Sequence, residues 1–322
     1  MREGLVVIIG SGELGPSMRT TYRHLLEHVA ADSVTILDTP YGFQENADDL
    51  TSRIEKHFRD GFGVATRVAT LRRAGASAGL RDKFLDEVAG AEVVFAGPGS
   101  PSYANRIWQE VGLGRVLAEI VDRGGAVVMA SAAAVTMGNK AIPVYEIYKV
   151  GADPEWLDGL DFLSRFGLSV AVVPHWNNQE GGFHDTSHCF IGAVRFRELV
   201  GRLPSHVSVL GVDEHTSLSL HARTGVMRVL GAGEAHFNDI PFADSMVAPG
   251  FVARPALPAP APPPSEPHPW APVVDLLVEL RSEARDRGNY GQSDLIRDRL
   301  AAAGIELRDG PERTEWSAAD DR

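Results

Sequence analysis

The sequence predicts an α/β three-layer sandwich, in which helices cover both faces of a mostly parallel sheet. Three observations carry that expectation. Runs of Val, Ile and Leu recur along the first 230 residues without polar alternation, which is the pattern of strands buried on both faces. Amphipathic stretches of helical period separate those runs, supplying the crossovers that parallel pairing needs. Several runs end in turn residues, as at Gly10, Gly97-Pro98-Gly99 and Pro174.

Taken in order, Leu5–Ile9 (LVVII) reads as the first strand and 18–29 as a helix with apolar residues at helical spacing. Residues 34–37 (VTIL) form the second strand, and 51–58 fall in the second helix. Strands follow at 64–70, 93–96 (VVFA) and 126–129 (AVVM), with helices near 79–89 and 102–122 between them. Later strands are expected at 169–173 (SVAVV), 208–212 and 226–230, with a helix at 196–203. Ten of the 20 prolines then fall between Pro249 and Pro272. Such a run lacks amide donors and favours extended backbone, so it reads as a semi-rigid linker over 249–272. It divides a body, 1–248, from a tail, 273–322. The tail reads as a helical hairpin. Apolar residues at 274, 277, 278 and 280 mark its first helix, Gly288-Asn289 breaks it, and Leu295, Ile296 and Leu300 are expected to point inward from the second.

Composition narrows the function classes. The 322 residues carry 43 acidic against 31 basic side chains, a net charge of −12, which argues against a general polyanion binder. The single Cys189 excludes a disulfide framework and any multi-thiolate metal site. The N-terminal apolar run of five residues is too short for a signal segment or a bilayer span, so a soluble cytoplasmic protein is expected, with no membrane partner.

In a parallel α/β sheet the chemistry gathers at the carboxyl ends of the strands. After the first strand, residues 10–15 spell G-S-G-E-L-G, and Asp38 closes the second strand; together they imitate a dinucleotide-binding fingerprint. Pro16 argues that the helix starts only after the third glycine, which weakens that reading. The turn Gly97-Pro98-Gly99-Ser100-Pro101 can present backbone N–H groups to an anion. Ser131 stands directly after a buried strand among Ala130, Ala132, Ala133 and Ala134, the small neighbours that a nucleophile elbow needs; a packing or capping serine is the alternative. His175 follows Pro174 at a strand end, where it can serve as a base for Ser131 or as a structural histidine. His184 and His188 have i, i+4 spacing, a metal clip if the segment is helical, but no metal motif accompanies them. Asp213-Glu214-His215 places an acidic pair after a further strand.

In their order, Gly97 to Ser100, Ser131-Ala132, Pro174-His175-Trp176-Asn177 and Gly211-Val212-Asp213-Glu214-His215-Thr216 resemble the serine peptidases that include cyanophycinase and aspartyl dipeptidase (dipeptidase E), over about residues 5–235. That resemblance implies a class I glutamine-amidotransferase-like fold, Ser131 as nucleophile and His175 as base. It further implies an oxyanion hole near Gly99 and Ala132, Glu214 as the acid that orients His175, and substrate contacts at Ser100 and Asn177. The dipeptidases place that acid about 15 residues after the serine, where this chain has Glu146. The family elbow G-x-S-A-G-A is departed from at Met129 and Ala133. The expected activity is therefore hydrolysis of a small peptide or amide substrate without cofactor or metal. A non-catalytic binding module on the same fold and a nucleotide-binding protein using residues 10–15 stand as alternatives.

Residues 273–316 resemble the C-terminal end of cysteinyl-tRNA synthetases through Arg281, Arg285, Asn289-Tyr290, Asp294, Ile296-Arg297-Asp298, Leu300, Gly304-Ile305, Leu307, Asp309, Pro311, Thr314 and Trp316. The synthetase nucleotide motifs H-I-G-H and K-M-S-K-S are absent from the sequence, so the resemblance does not make the chain a synthetase. With eight Arg against twelve acidic residues, the tail can present a phosphate surface only by clustering Arg281, Arg285 and Arg297 on one face. A tRNA or a protein docked by the tail, and a homodimer, are left open.

Overall fold

A computed structural model describes residues 3–251, 271–309 and 314–318. They fall into two compact units, divided between Ala259 and Pro260. Most of the expected linker, 252–270, lies outside the described residues. Its last two residues open a helix instead, since proline is tolerated in a first turn.

The body is built on an eight-stranded sheet. Five parallel strands form its centre and one edge: β1 (Leu5–Ile9), β2 (Ser33–Leu37), β3 (Ala65–Ala69), β4 (Val93–Ala96) and β5 (Ala126–Ala130), in the spatial order β1-β5-β4-β2-β3. The strand period of two sorts their side chains between two cores. Val6, Ile8, Val94, Val127 and Met129 face α3 (Ala78–Ala89), α4 (Pro101–Glu110) and α5 (Leu113–Asp122). Leu5, Val7, Ile9, Phe95 and Val128 face α1 (Arg19–Val29) and α2 (Ala47–Phe62), packing on Tyr22, Leu25, Ile54 and Phe58. These are the three layers expected from the sequence. The single helix expected over 102–122 is two, because Gly112 adopts φ +66° and turns the chain between α4 and α5.

Three antiparallel strands extend this sheet beyond β1: β10 (Thr216–His221), β11 (Val226–Gly231) and β14 (Ser245–Val247). In β10 only Leu218 and Leu220 are large and apolar, so the strand gives no hydrophobic run. Its serines are nonetheless buried, because Ser217 Oγ donates to Leu230 O (3.1 Å) and Ser219 Oγ to Arg228 O (3.2 Å) of the neighbouring strand.

A second sheet of six strands holds β6 (Lys140–Ala141), β7 (Leu157–Asp158), β8 (Val170–Val173), β9 (Ser208–Val212), β12 (Ala235–Phe237) and β13 (Ile240–Phe242), with α7 (Ala193–Gly201) against it. The expectation that Ser131 and His175 leave one common sheet edge is thus corrected, since β5 and β8 belong to different sheets. The ends of the two sheets are stitched together where β9 passes into β10: Gly10 N donates to Thr216 O (2.9 Å), His175 N to Gly10 O (3.3 Å) and Trp176 N to Val212 O (3.1 Å). This seam brings β1, β5, β8 and β9 to one place.

The second unit contains α8 (Ala271–Asp286), α9 (Tyr290–Ala302) and an unforeseen antiparallel pair, β15 (Ile305–Asp309) with β16 (Thr314–Ala318). Val274, Leu300 and Ile305 form its core with Leu277, Val278, Ile296, Leu307 and Trp316. Two expectations fail here. Leu295, expected to point inward, is exposed, because the strand pair and not a second helical stripe completes the core. Arg281 is buried at 2% exposure, so it cannot join Arg285 and Arg297 on a phosphate surface. Among the described residues no helix is long and apolar enough to cross a membrane.

Candidate active site

Ser131 is presented by a sharp elbow. The fully buried β5 ends at Ala130, Ser131 takes φ +50° and ψ −117°, and the short helix α6 (Ala132–Val135) begins at once. Such backbone is costly for a residue with a Cβ and survives only where its surroundings enforce it. Ser131 N donates to Ile9 O of β1 (3.0 Å), and Ala133 N to Gly97 O beyond β4 (3.3 Å), so two neighbouring strands fix the turn. Ala132, Ala133 and Ala134 are buried beneath it. The two departures from the family elbow are accommodated on simple grounds. Met129 lies within β5 with its side chain in the core, and Ala133 lies in α6 without positive φ, so neither position needs glycine.

His175 follows Pro174 just beyond β8 and also has positive φ, +48°. Its Nε2 lies 2.8 Å from Ser131 Oγ and its Nδ1 lies 2.8 Å from Glu214 Oε1. Glu214 sits in the three-residue turn between β9 and β10. Two asparagines hold it there: Asn177 Oδ1 accepts from Glu214 N, and Asn178 Nδ2 donates to Glu214 Oε1, each at 2.8 Å. The His175 hydrogen bond keeps the Glu214 carboxyl below its ordinary pKa; burial opposes this and the Asn178 bond adds to it. An ionised Glu214 accepts the proton on Nδ1, which leaves the lone pair of Nε2 turned to the serine hydroxyl. Asp213, its neighbour in sequence, belongs to the scaffold, with Oδ1 3.1 Å from His236 Nε2 and Oδ2 accepting from Glu234 N (3.0 Å).

Ser131, Ala132, His175 and Gly99 line a depression of about 40 Å³ closed by Pro101, Val144, Tyr145, Cys189 and Phe190. Gly99 has φ +141°, and a Cβ there would lie 2.0 Å from Pro40 O; only glycine lets this turn run so close to its neighbour. Ser100 and Asn177, expected at the substrate, do not line the depression. Ser100 Oγ caps α4 by accepting from Tyr103 N (3.3 Å), and Asn177 positions Glu214. Glu146 accepts instead from Ser102 Oγ (2.6 Å), while the Nδ1 of His175 is taken by Glu214. Cys189 is buried, and its thiol is pushed up to about 12, which leaves it an unreactive wall residue.

Two other sequence readings are corrected. Asp38 is fully buried and committed to Arg72 Nε (2.6 Å) and Leu71 N (3.2 Å), and a Cβ at Gly10 would lie 2.0 Å from Asp213 O. The glycine turn is packed under the β9–β10 turn and Asp38 is unavailable to a ribose. Residues 181–190 form turns and not a helix, so the spacing of His184 and His188 makes no clip; the His188 ring stacks on Phe196 at 4.3 Å. Two residues near Ser131, His175 and Glu214 were not singled out from sequence. Asn178 hides in the P-H-W-N-N run. Glu13 is a variable position of the glycine turn whose carboxyl is raised by burial, with the electrostatic influence of His175 and His215 opposing.

The body aligns over its fold with a solved peptidase from an acI-B1 actinobacterium, at a TM-score of 0.59 and 18% sequence identity, covering 78% of this chain and 97% of that one. The body shares its fold with a peptidase. A putative peptidase E from Listeria monocytogenes EGD-e aligns more loosely, at a TM-score of 0.49 and 12% identity over 72% of this chain. No protein-family model matches. A segment of 45 residues, 14% of this chain, is 56% identical to the cysteine–tRNA ligase of Chlorobium luteolum, and one of 47 residues is 45% identical to that of Fusobacterium nucleatum. The chain spans only 9% and 10% of those ligases, in keeping with the resemblance of the tail to their C-terminal end.

Proposed function

We propose that the body is a serine hydrolase that cleaves a peptide or amide bond through Ser131, His175 and Glu214. The observation that carries the reading is the unbroken chain from Ser131 Oγ to His175 Nε2 and from Nδ1 to Glu214 Oε1, each step 2.8 Å, starting at a strained elbow. His175 takes the hydroxyl proton as Oγ attacks the substrate carbonyl. Glu214 stabilises the imidazolium that forms. The backbone N–H groups of Gly99 and Ala132 are assigned to the oxyanion of the tetrahedral intermediate. His175 then returns its proton to the leaving amine, which departs and leaves an acyl group on Ser131. Water, deprotonated by the same imidazole, hydrolyses that ester. A depression of about 40 Å³ admits the reacting carbonyl and little else, so the remainder of the substrate lies outside it. Treatment with a fluorophosphonate probe followed by peptide mass spectrometry tests the proposal. The expected result is a single adduct on Ser131 that disappears in His175→Ala. An unlabelled wild-type protein leaves a binding module on this fold as the better account.

A further inference from the structure

A second group of chemistry-bearing side chains gathers at the opposite end of β1. Glu3 precedes that strand, His28 lies in the last turn of α1, and His221 ends β10, where the antiparallel register pairs it with Leu5. One ligand atom from each of the three lies within 4.8 Å of the other two. His221 Nδ1 and Glu3 Oε2 are 3.8 Å apart, with side chains 19% and 16% exposed, and the rings of His28 and His221 meet edge to face at 5.2 Å.

The surroundings hold these groups as a site is held. The ring of His28 is fixed by Nε2, 3.0 Å from Glu3 O, and the second carboxylate oxygen, Glu3 Oε1, accepts from Arg223 N (3.1 Å). Such outer contacts aim ligands and leave their remaining lone pairs in place. One turn earlier on α1, the ring of His24 stands 6.0 Å from that of His28, and its Nε2 is buried without a hydrogen-bond partner among the described residues. Two imidazoles and one carboxylate, each oriented by its neighbours, thus converge on one point.

We infer that Glu3, His28 and His221 bind a divalent transition cation of the Zn²⁺ class. Two imidazole nitrogens and one carboxylate oxygen suit such a borderline ion and are too few oxygens for Ca²⁺. The five residues of β1 separate the group from the Ser131 elbow by roughly 15 Å, so the ion takes no part in hydrolysis. Its effect is mechanical. It ties the start of β1, the end of α1 and the end of β10.

The test uses full-length protein without a histidine tag, stripped of metal by chelator and titrated with ZnCl₂ by calorimetry, with thermal unfolding read in parallel. The expected result is one Zn²⁺ bound per chain and a raised Tm. His221→Gln and Glu3→Gln, checked for native circular dichroism, should each weaken binding by about tenfold or more, while Ser131→Ala binds as the wild type does. Wild-type protein that binds no Zn²⁺, or binding that neither substitution alters, overturns the inference. Should His221→Gln fail to fold, Glu3→Gln and a His28→Gln variant decide the matter by the same readings.

Discussion

Ser131 is held at φ +50° by hydrogen bonds from the elbow to β1 and to Gly97 beyond β4, and such backbone costs stability in a residue with a Cβ. Ser131→Gly is therefore expected to unfold at a higher temperature than the wild type, by roughly 1 kcal/mol of strain released, while losing hydrolysis altogether. A lower midpoint would mean that the elbow is not strained. Glu214 gives a second test at this scale. Glu214→Gln should lower kcat by about 10⁴, because an amide cannot hold the same tautomer of His175 or stabilise its charge. Its carboxyl lies below the ordinary value of 4.5, so its contribution to stability is complete above that value and is lost as pH falls through the folded value. Urea unfolding should accordingly find wild type more stable than Glu214→Gln near pH 6, and the gap should close on acidification. A gap that widens in acid contradicts the assignment.

Among the elements, the turn after β4 governs the site as much as the strand that bears the nucleophile. Gly99 approaches Pro40 so closely that Gly99→Ala must displace either this turn or the 3-10 segment at Thr39–Tyr41. The expected outcome is a folded protein with hydrolysis reduced by about 10² or more, the usual order for loss of an oxyanion donor; a fully active variant would remove Gly99 from the oxyanion hole. Most of the helices showed in the sequence as amphipathic stretches, and the parallel strands β1, β2, β4, β5 and β8 were legible because a strand buried on both faces is a near-continuous apolar run. The elements that were missed are those with no such run. β10 hides its serines by bonding them to β11, and β15–β16 earns its place only by covering Val274 and Leu300.

For the whole molecule, the division between Ala259 and Pro260 predicts independence of the two units. A chain ending at residue 259 should unfold cooperatively with the midpoint of the body in the full-length protein and should keep its hydrolytic rate. Truncated protein that aggregates, or that loses activity, would show the tail to be part of the body's fold. The peptidase-like fold belongs to the first unit and the ligase-like segment to a stretch of 14% of the chain, so neither likeness describes the protein entire.

What the sequence determined by itself was the α/β class, the alternation of apolar strands and helices in the first half of the body, and the strand-end positions of Ser131 and His175, since local hydrophobic period and turn chemistry are properties of neighbouring residues. Between Glu146 and Glu214 it favoured Glu214, which follows a strand expected beside the one that precedes His175, while Glu146 had only its spacing from Ser131. In the folded chain it is Glu214 that lies 2.8 Å from Nδ1 of His175, because β9 pairs in parallel with β8 and delivers its following turn there. The same holds for Asn178, whose role exists only in that turn, and for Glu3, His28 and His221, which lie up to 218 residues apart and meet through the register of β1 with β10. Groups distant in sequence are brought within hydrogen-bonding reach by strand pairing, and no local pattern records it.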